Sequence, residues 1–466
     1  MTDPNVPSAP ATAALDRTIA TSTHAERAAR GRDARTRVKR SSASAWRLAD
    51  DRPDPLALLE AQNATRFPDL VPLRWGRMVA DPFAFFRGSA AVMAADLASL
   101  PVSGLVVQAC GDAHLQNFGL YASPERALMF DLNDFDETLP GPWEWDVARL
   151  ITSVVLAVRS RALGAEAERD AALRGAEGYR SAMAEFATMG TLEVWYRHAD
   201  VAAAMEVLTG EARRVTEKAV VKAQRRTGLQ ALERLTELRD GVRVIVDDPP
   251  VVDHEFVPTD EVAPAALLER YLGTLPDDRR ALVERYTFVD AARKVVGVGS
   301  VGTHCFIAVG VTDPTSDDAI ILQVKEATTS VLSPYLGESG YSTHGHRVVS
   351  GQRMMQATSD LFLGWTSLDG RDFYVRQLRD MKGSFDTVSA TGAWIADYAE
   401  ACGRTLARAH ARSGDPIAIA SYLGSSDRYG RSITDFALRY ADIAERDHAL
   451  LRAAVDSGRL PALEGV

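Results

Sequence analysis

Cysteine is scarce in this chain: 466 residues contain Cys110, Cys305 and Cys402, and no two of them stand in a CxxC spacing. That excludes a disulfide framework and a cysteine-built zinc site, and it fits a reducing compartment. Long apolar runs are missing as well. No stretch approaches the ~18 consecutive apolar residues of a membrane span, and the first residues carry Asp and Arg where an export signal needs an apolar core. A cytoplasmic protein with no membrane partner is the expectation. Nor is there an excess of positive charge. With 53 Lys and Arg against 63 Asp and Glu, the net charge of −10 argues against a general nucleic-acid binder. No internal repeat is visible.

What remains is an ordinary globular composition, long enough for two or three lobes because single cores rarely exceed ~250–300 residues. Residues 1 to about 45, rich in Ala, Arg, Thr and Ser, read as a mobile tail. Residues 46–275 mix helical periodicity with short strands and form an expected helical lobe, with a helix over Gly88 to Leu100 and mostly helix from Glu144 to about Asp240. Asp247 to Pro258 reads as a connection. Within 276–385, "ARKVVGVG", "THCFIAVGV", "AIILQVKEA" and "DFYVRQL" are β-rich runs separated by turn material, which predicts an antiparallel sheet lobe with a helix from about Arg347 to Asp360. Residues 386–466 are again helical. The expected class is mixed α/β (α+β) in two lobes.

Two constellations carry chemistry. Gly297, Gly299 and Gly302 are spaced GxGxxG, but the run that follows them is a strand, whereas a dinucleotide loop must open a helix so that its N-terminus faces the pyrophosphate. A glycine-rich hairpin between strands instead suits ATP phosphates, since absent side chains let backbone N–H groups, including that of Ser300, approach the oxygens. Lys325, one strand further on in "IILQVKEA", is placed to meet those phosphates; a lysine in an apolar strand is costly to bury without an anion. The second constellation is "CGDAHLQNFG", Cys110 to Gly119, at the end of the apolar run "GLVVQA". Asp112 and Asn117, five residues apart, can converge through one tight loop, and Asp134 on the following strand can add a metal ligand.

"GDAHLQN" resembles the HGDxHxxN catalytic loop of aminoglycoside phosphotransferases and choline kinases, in the protein-kinase-like superfamily, and "NDFDETLPGPWEWDVARL" is similar to the segment that follows there. The resemblance implies Asp112 as catalytic Asp, His114 as support for the loop, Asn117 and Asp134 as Mg²⁺ ligands, and Asp146 as a structural group at a helix start. Asp131 and Asp136 compete for the metal role. The segment "YVRQLRDMKG", with Gln377 and Leu378, would be the hinge against adenine. Over nearly four hundred residues the chain also resembles an uncharacterised bacterial family, domain of unknown function 2252, through "RMVADPFAFFRG", "GDAHLQNFG", "FDLNDFDET", "GPWEWDVARL", "GSVGT", "LQVKEA", "RVVSGQ" and "YVRQLRDMKGS".

Against the kinase pattern the motif order is permuted, with Asp112 and Asp134 preceding Gly297 and Lys325; because a site is defined in space, a circular permutation preserves it. Between Thr343 and Ser359 no acidic residue is available to pair with Lys325, which leaves Gln352, Gln356, Glu326 or Glu338 for that place. Arg74, Arg77 and Arg87 lie among aromatics upstream and suit an anionic substrate, phosphates or plain aromatic packing. The expectation is a Mg²⁺- and ATP-dependent phosphotransferase of permuted kinase-like fold acting on a small-molecule hydroxyl. A nucleotide-binding pseudokinase or regulatory protein, a protein kinase and a nucleotidyl transferase are the alternatives.

Overall fold

A computed structural model describes residues 21–225, 228–255, 262–313, 318–378, 381–385 and 391–465. The chain is mixed α/β, with helices gathered in one lobe and a six-stranded antiparallel sheet in the other.

The helical lobe is built round Trp143–Arg159, an apolar helix buried along nearly its whole length. Ala165–Phe186, Gly392–Ser413 and Arg428–Asp456 surround it. Two of these come unusually close because glycines face each other. A Cβ on Gly403 would lie 2.2 Å from the carbonyl oxygen of Gly175, and one on Gly178 would lie 2.4 Å from that of Glu400. Strands β1 (Val106–Ala109), β2 (Phe118–Ala122), β3 (Leu128–Leu132) and β4 (Leu139–Pro142) form two ribbons on this lobe, β1 with β4 and β2 with β3.

A small ribbon, β5 (Thr236–Arg239) with β6 (Val242–Ile245), leads into the sheet lobe. That lobe contains β7 (Val252–Asp253), β8 (Thr287–Lys294), β9 (Cys305–Val311), β10 (Ala319–Glu326), β11 (Gly364–Leu368) and β12 (Arg371–Gln377), ordered β11-β12-β10-β9-β8-β7. Both faces carry apolar clusters, Ile307, Val309 and Ile321 on one and Ile320, Leu322 and Val375 on the other, as the two-residue period of a strand dictates. The same period sets Gln323 and Lys325 on one face of β10. The register puts Arg376 opposite Gln323 and Tyr374 opposite Lys325, so a polar row forms at the end of an apolar face.

Several boundaries differ from expectation. The first 45 residues are not all tail: His24–Arg37 is a helix with a Thr23/Glu26 capping box, laid on Pro416–Leu423, with Arg27 and Arg30 paired to Asp415. Composition hid this because an arginine-rich face reads as solvated, whereas Gly31 sits so close that a Cβ would meet Ala418 O at 2.0 Å. Residues 1–20 lie outside the described residues. The sheet lobe begins before residue 276, since β7 is its edge strand and the helix Val262–Leu272 packs on β11. A two-residue strand has no hydrophobic run to betray it. Finally, β8 starts upstream of "ARKVVGVG" and ends at Lys294, and the helix expected near Arg347 spans His344–Met355.

Candidate active site

The loop after β1 is fixed from beneath. Asp146, in the first turn of Trp143–Arg159, accepts the backbone N–H groups of Cys110 at 2.6 Å and Gly111 at 2.9 Å, and lies 3.0 Å from His410 Nε2. Tyr179 Oη meets the other ring nitrogen of His410 at 2.9 Å. A carboxylate at a helix start is also favoured by the helix dipole. Gly111 is required here: its φ is +82°, and a Cβ would lie 2.4 Å from Glu137 O.

The loop therefore presents three side chains in set positions. Asp112 is 22% exposed, and its Oδ1 accepts from Arg149 Nε at 2.8 Å. Arg149 is itself held by Phe86 O at 2.6 Å and stands over the Phe86 ring. His114 Nε2 lies 3.8 Å from Asp112 Oδ2, while its Nδ1 is enclosed without a partner. Burial, helped by Arg87 and Arg149, lowers the imidazole to about 4, so the ring is neutral at physiological pH. Asn117 donates Nδ2 to Asp112 O at 3.0 Å and to Asp134 O at 3.1 Å, which identifies its amide nitrogen and leaves Oδ1 as the free acceptor.

Across the cleft, Lys325 is 2% exposed and its Nζ pairs with Asp136 and lies 3.6 Å from Asp134 Oδ2. Tyr374 donates to the other Asp136 oxygen at 2.9 Å. Burial pushes Asp136 up, and the neighbouring Asp134 adds to the push. Burial opposes ionisation of Asp134 too, but Lys325, Arg376 and Lys382 outweigh it and hold that carboxyl down to about 2. None of the sequence candidates for the lysine's partner takes that place. Gln352 bonds Gln356, Gln356 bonds Leu132 O, and Glu326 is taken by His304 and Arg371. Nor does Glu338: among the described residues the lysine's ion-pair partners are Asp134 and Asp136. Asp131 is buried away from the cleft on Arg408 and the N–H of Ala357.

One cavity of about 520 Å³ lies between the lobes, lined by Asp112, His114, Asn117, Asp134 and Asp136 and by Gly297, Gly299 and Ser300 of the glycine loop; Lys325, buried behind Asp134 and Asp136, does not line it, nor does Gly302. The glycine loop, residues 295–304, is drawn down onto the helical lobe: Arg77 donates to Gly297 O at 2.7 Å and Phe67 to Gly302 O at 2.7 Å. Gly297 and Gly302 hold φ of +59° and +84°. Ser300 Oγ is 3.4 Å from Asp136. A second cavity of about 250 Å³ shares Asn133, Arg376 and Lys382 with the first and adds Ile320, Leu361, Phe362 and Gln377. Leu378 departs from its expected place: its side chain is in the sheet's core and its N–H is taken by Ile321 O at 2.9 Å.

The model of a bacterial family, described as an uncharacterized protein conserved in bacteria (DUF2252), matches residues 66–454. The chain belongs to the DUF2252 family. No curated protein and no solved structure matches it. The family match covers both lobes of this DUF2252 protein and every residue of the cavity described above except Ala61, Gln62 and Thr65.

Whether this DUF2252 site fits Mg²⁺ can be judged from its donors. Among the described residues no three His, Cys, Asp or Glu side chains converge as a metal cage. Mg²⁺ bound with phosphates needs only one or two protein oxygens. Asp134 Oδ1 is enclosed without a hydrogen-bond partner, and Asn117 has its amide nitrogen pinned and its oxygen unspent, so this pair fits. Asp136, committed to Lys325 and Tyr374, fits less well than its place in the sequence suggests. Several residues escaped sequence reasoning: Arg149, His410, Arg376, Lys382 and Arg66. Only "WDVAR", with Arg149 three residues after Asp146, carried a local signal, one helical turn along the same face.

Proposed function

We propose that this DUF2252 protein is an ATP- and Mg²⁺-dependent phosphotransferase acting on a small-molecule hydroxyl. The observation that carries the reading is the meeting of Lys325 with Asp134, far apart in sequence, where Asp134 lines one cavity with Asp112, Asn117 and the glycine loop. Phosphoryl transfer is mostly positioning and electrostatic stabilisation, and these residue types supply both. The purine would occupy the smaller cavity against Ile320 and Phe362, and the phosphates would run past Arg376 and Lys382 toward Asp112. Asp112 accepts the acceptor's hydroxyl proton; the hydroxyl oxygen bonds to the γ-phosphorus as the bond to the β-bridging oxygen breaks, and ADP leaves with that electron pair. Arg149 keeps the carboxylate in position. Mg²⁺ on Asn117 and Asp134 would neutralise charge on the phosphate oxygens. A nucleotide triphosphate would also give Lys325 a second anion, releasing part of its hold on Asp136.

Mg-ATP is expected to raise the melting temperature where ATP alone does not, with ~2.7 kcal/mol of added stability at 100 times Kd. Asp112→Asn should keep that shift while lowering turnover ~10²–10⁴-fold. A mass-spectrometric screen of metabolite pools for added phosphate identifies the acceptor. No shift with Mg-ATP, Mg-ADP or Mn-ATP overturns the reading. A full shift with no acceptor phosphorylated favours a nucleotide-binding regulatory protein, in keeping with a lysine that has no glutamate on the following helix.

A further inference from the structure

The cavity that holds Asp112 is also walled by Gln62, Thr65, Arg66, Arg74 and Arg87, alongside the carboxylates Asp134, Asp136, Glu137 and Glu326. Among the described residues Arg66, Arg74 and Arg87 make no ion pair, and the Nε of each is enclosed without a hydrogen-bond partner. Arg74 spends its remaining nitrogens inside the helical lobe, on Leu59 O, Asn63, Gln62 and Gly88 O. Arg66 reaches Val301 O in the glycine loop. The carboxylates that Arg66 and Arg87 feel are each engaged elsewhere: Asp112 by Arg149, Asp136 by Lys325, Glu326 by His304 and Arg371. Glu137 accepts the N–H of Val331, and Asp81 caps the helix Pro82–Gly88. Burial pushes the Arg66 guanidinium down to about 10 and lowers Arg87 too, which marks how poorly these cations are compensated.

We infer that the acceptor hydroxyl belongs to an anionic molecule, a phosphate ester or a hydroxy acid, whose anion is held by Arg87 and Arg66. This rests on the phosphotransferase reading and names the substrate class of that site. Guanidinium forks match carboxylate and phosphate oxygens, and an anion seated there removes the repulsion between buried cations. It also keeps the acceptor in the cavity that Arg87 shares with Asp112. Cationic acceptors such as aminoglycosides or choline would meet charge of their own sign.

The test uses the full chain saturated with Mg-AMP-PNP, which fills the nucleotide phosphate subsites, and titrates inorganic phosphate, glycerate and uncharged glycerol by calorimetry. Phosphate or glycerate should bind and glycerol should not, the stronger of the two anions telling a phosphate ester from a hydroxy acid. Arg87→Gln should weaken that binding tenfold or more and leave Mg-AMP-PNP affinity within twofold. Arg87→Lys, which keeps charge but loses the fork, should fall between, and Arg66→Gln gives a second reading if either Arg87 variant fails to fold. Absence of anion binding overturns the inference, as does an Arg87→Gln loss that falls equally on Mg-AMP-PNP, which would assign the arginine to the nucleotide. Failure of Mg-AMP-PNP itself to bind the wild-type chain is a different result and removes the phosphotransferase reading.

Discussion

Among the described residues, Lys382 is one whose charge the surroundings leave nearly balanced. Burial, with Arg376 beside it, brings the ammonium down to about 7, although Asp360 and Asp134 pull the other way. A triphosphate entering this cleft would restore the ordinary preference for the charged form. The ligand-free group is then largely neutral above pH 7 and the bound one charged, so Mg-ATP binding should take up a proton at pH 8 and much less of one at pH 6. Calorimetry in buffers of different ionisation enthalpy measures this, and Lys382→Met should abolish the uptake. His114 shows the opposite economy. With a folded value near 4 against 6.5 unfolded, its neutral ring contributes stability that is present above pH 6.5 and lost as pH falls toward 4, since the unfolded chain binds the proton first.

For helices, backbone contact outweighs propensity wherever two axes are pressed together. Replacing a helical glycine by alanine gains up to ~1 kcal/mol in propensity. At Gly430 the nearest outside atom to a new Cβ is 3.8 Å away, so Gly430→Ala should be neutral or stabilising by up to that amount. At Gly403 the Cβ would lie 2.2 Å from Gly175 O and 2.9 Å from Tyr179 N, backbone atoms that a side-chain turn cannot clear. Gly403→Ala should therefore lose ~1–3 kcal/mol net. Urea denaturation of the two variants decides the point, and equal effects would contradict it. Strand β10 shows the other side of element-level legibility. Its apolar run and two-residue period were plain in sequence, and with them the face that carries Lys325, because both are properties of adjacent residues.

Over the whole molecule, distant segments close on each other through a few charges. Arg27 and Arg30 of the first described helix both pair with Asp415, which is 5% exposed and also caps Pro416–Leu423. The arginines reach solvent in part, so the double variant Arg27→Met with Arg30→Met should cost about 1–3 kcal/mol, below the 3–5 of a fully buried pair. A melting temperature unchanged by that variant would mean that this helix is not part of the cooperative unit. Arg52, joined to Asp96 at 2.8 Å and Asp447 at 2.6 Å, ties the N-terminal third to the last helix in the same way.

Legible along the chain were the features that depend on adjacent residues: the mixed α/β class, the antiparallel sheet, and the loop carrying Asp112 and Asn117 five residues apart. Legible in the same way was the need of Lys325 for an anion, because an ammonium in an apolar strand is costly wherever the strand lies. Which anion it meets depends on how the two lobes come together. Asp136 lies 189 positions from Lys325, and nothing local distinguishes it from Glu326, the very next residue, whose side chain alternates to the other face and finds His304 and Arg371. The same holds for His410 beneath Asp146, 264 positions away, and for Arg66 and Arg87 in the cavity wall. Composition reads a run of arginines identically whether its face meets water or protein, and the difference lies in which surface the fold brings against it.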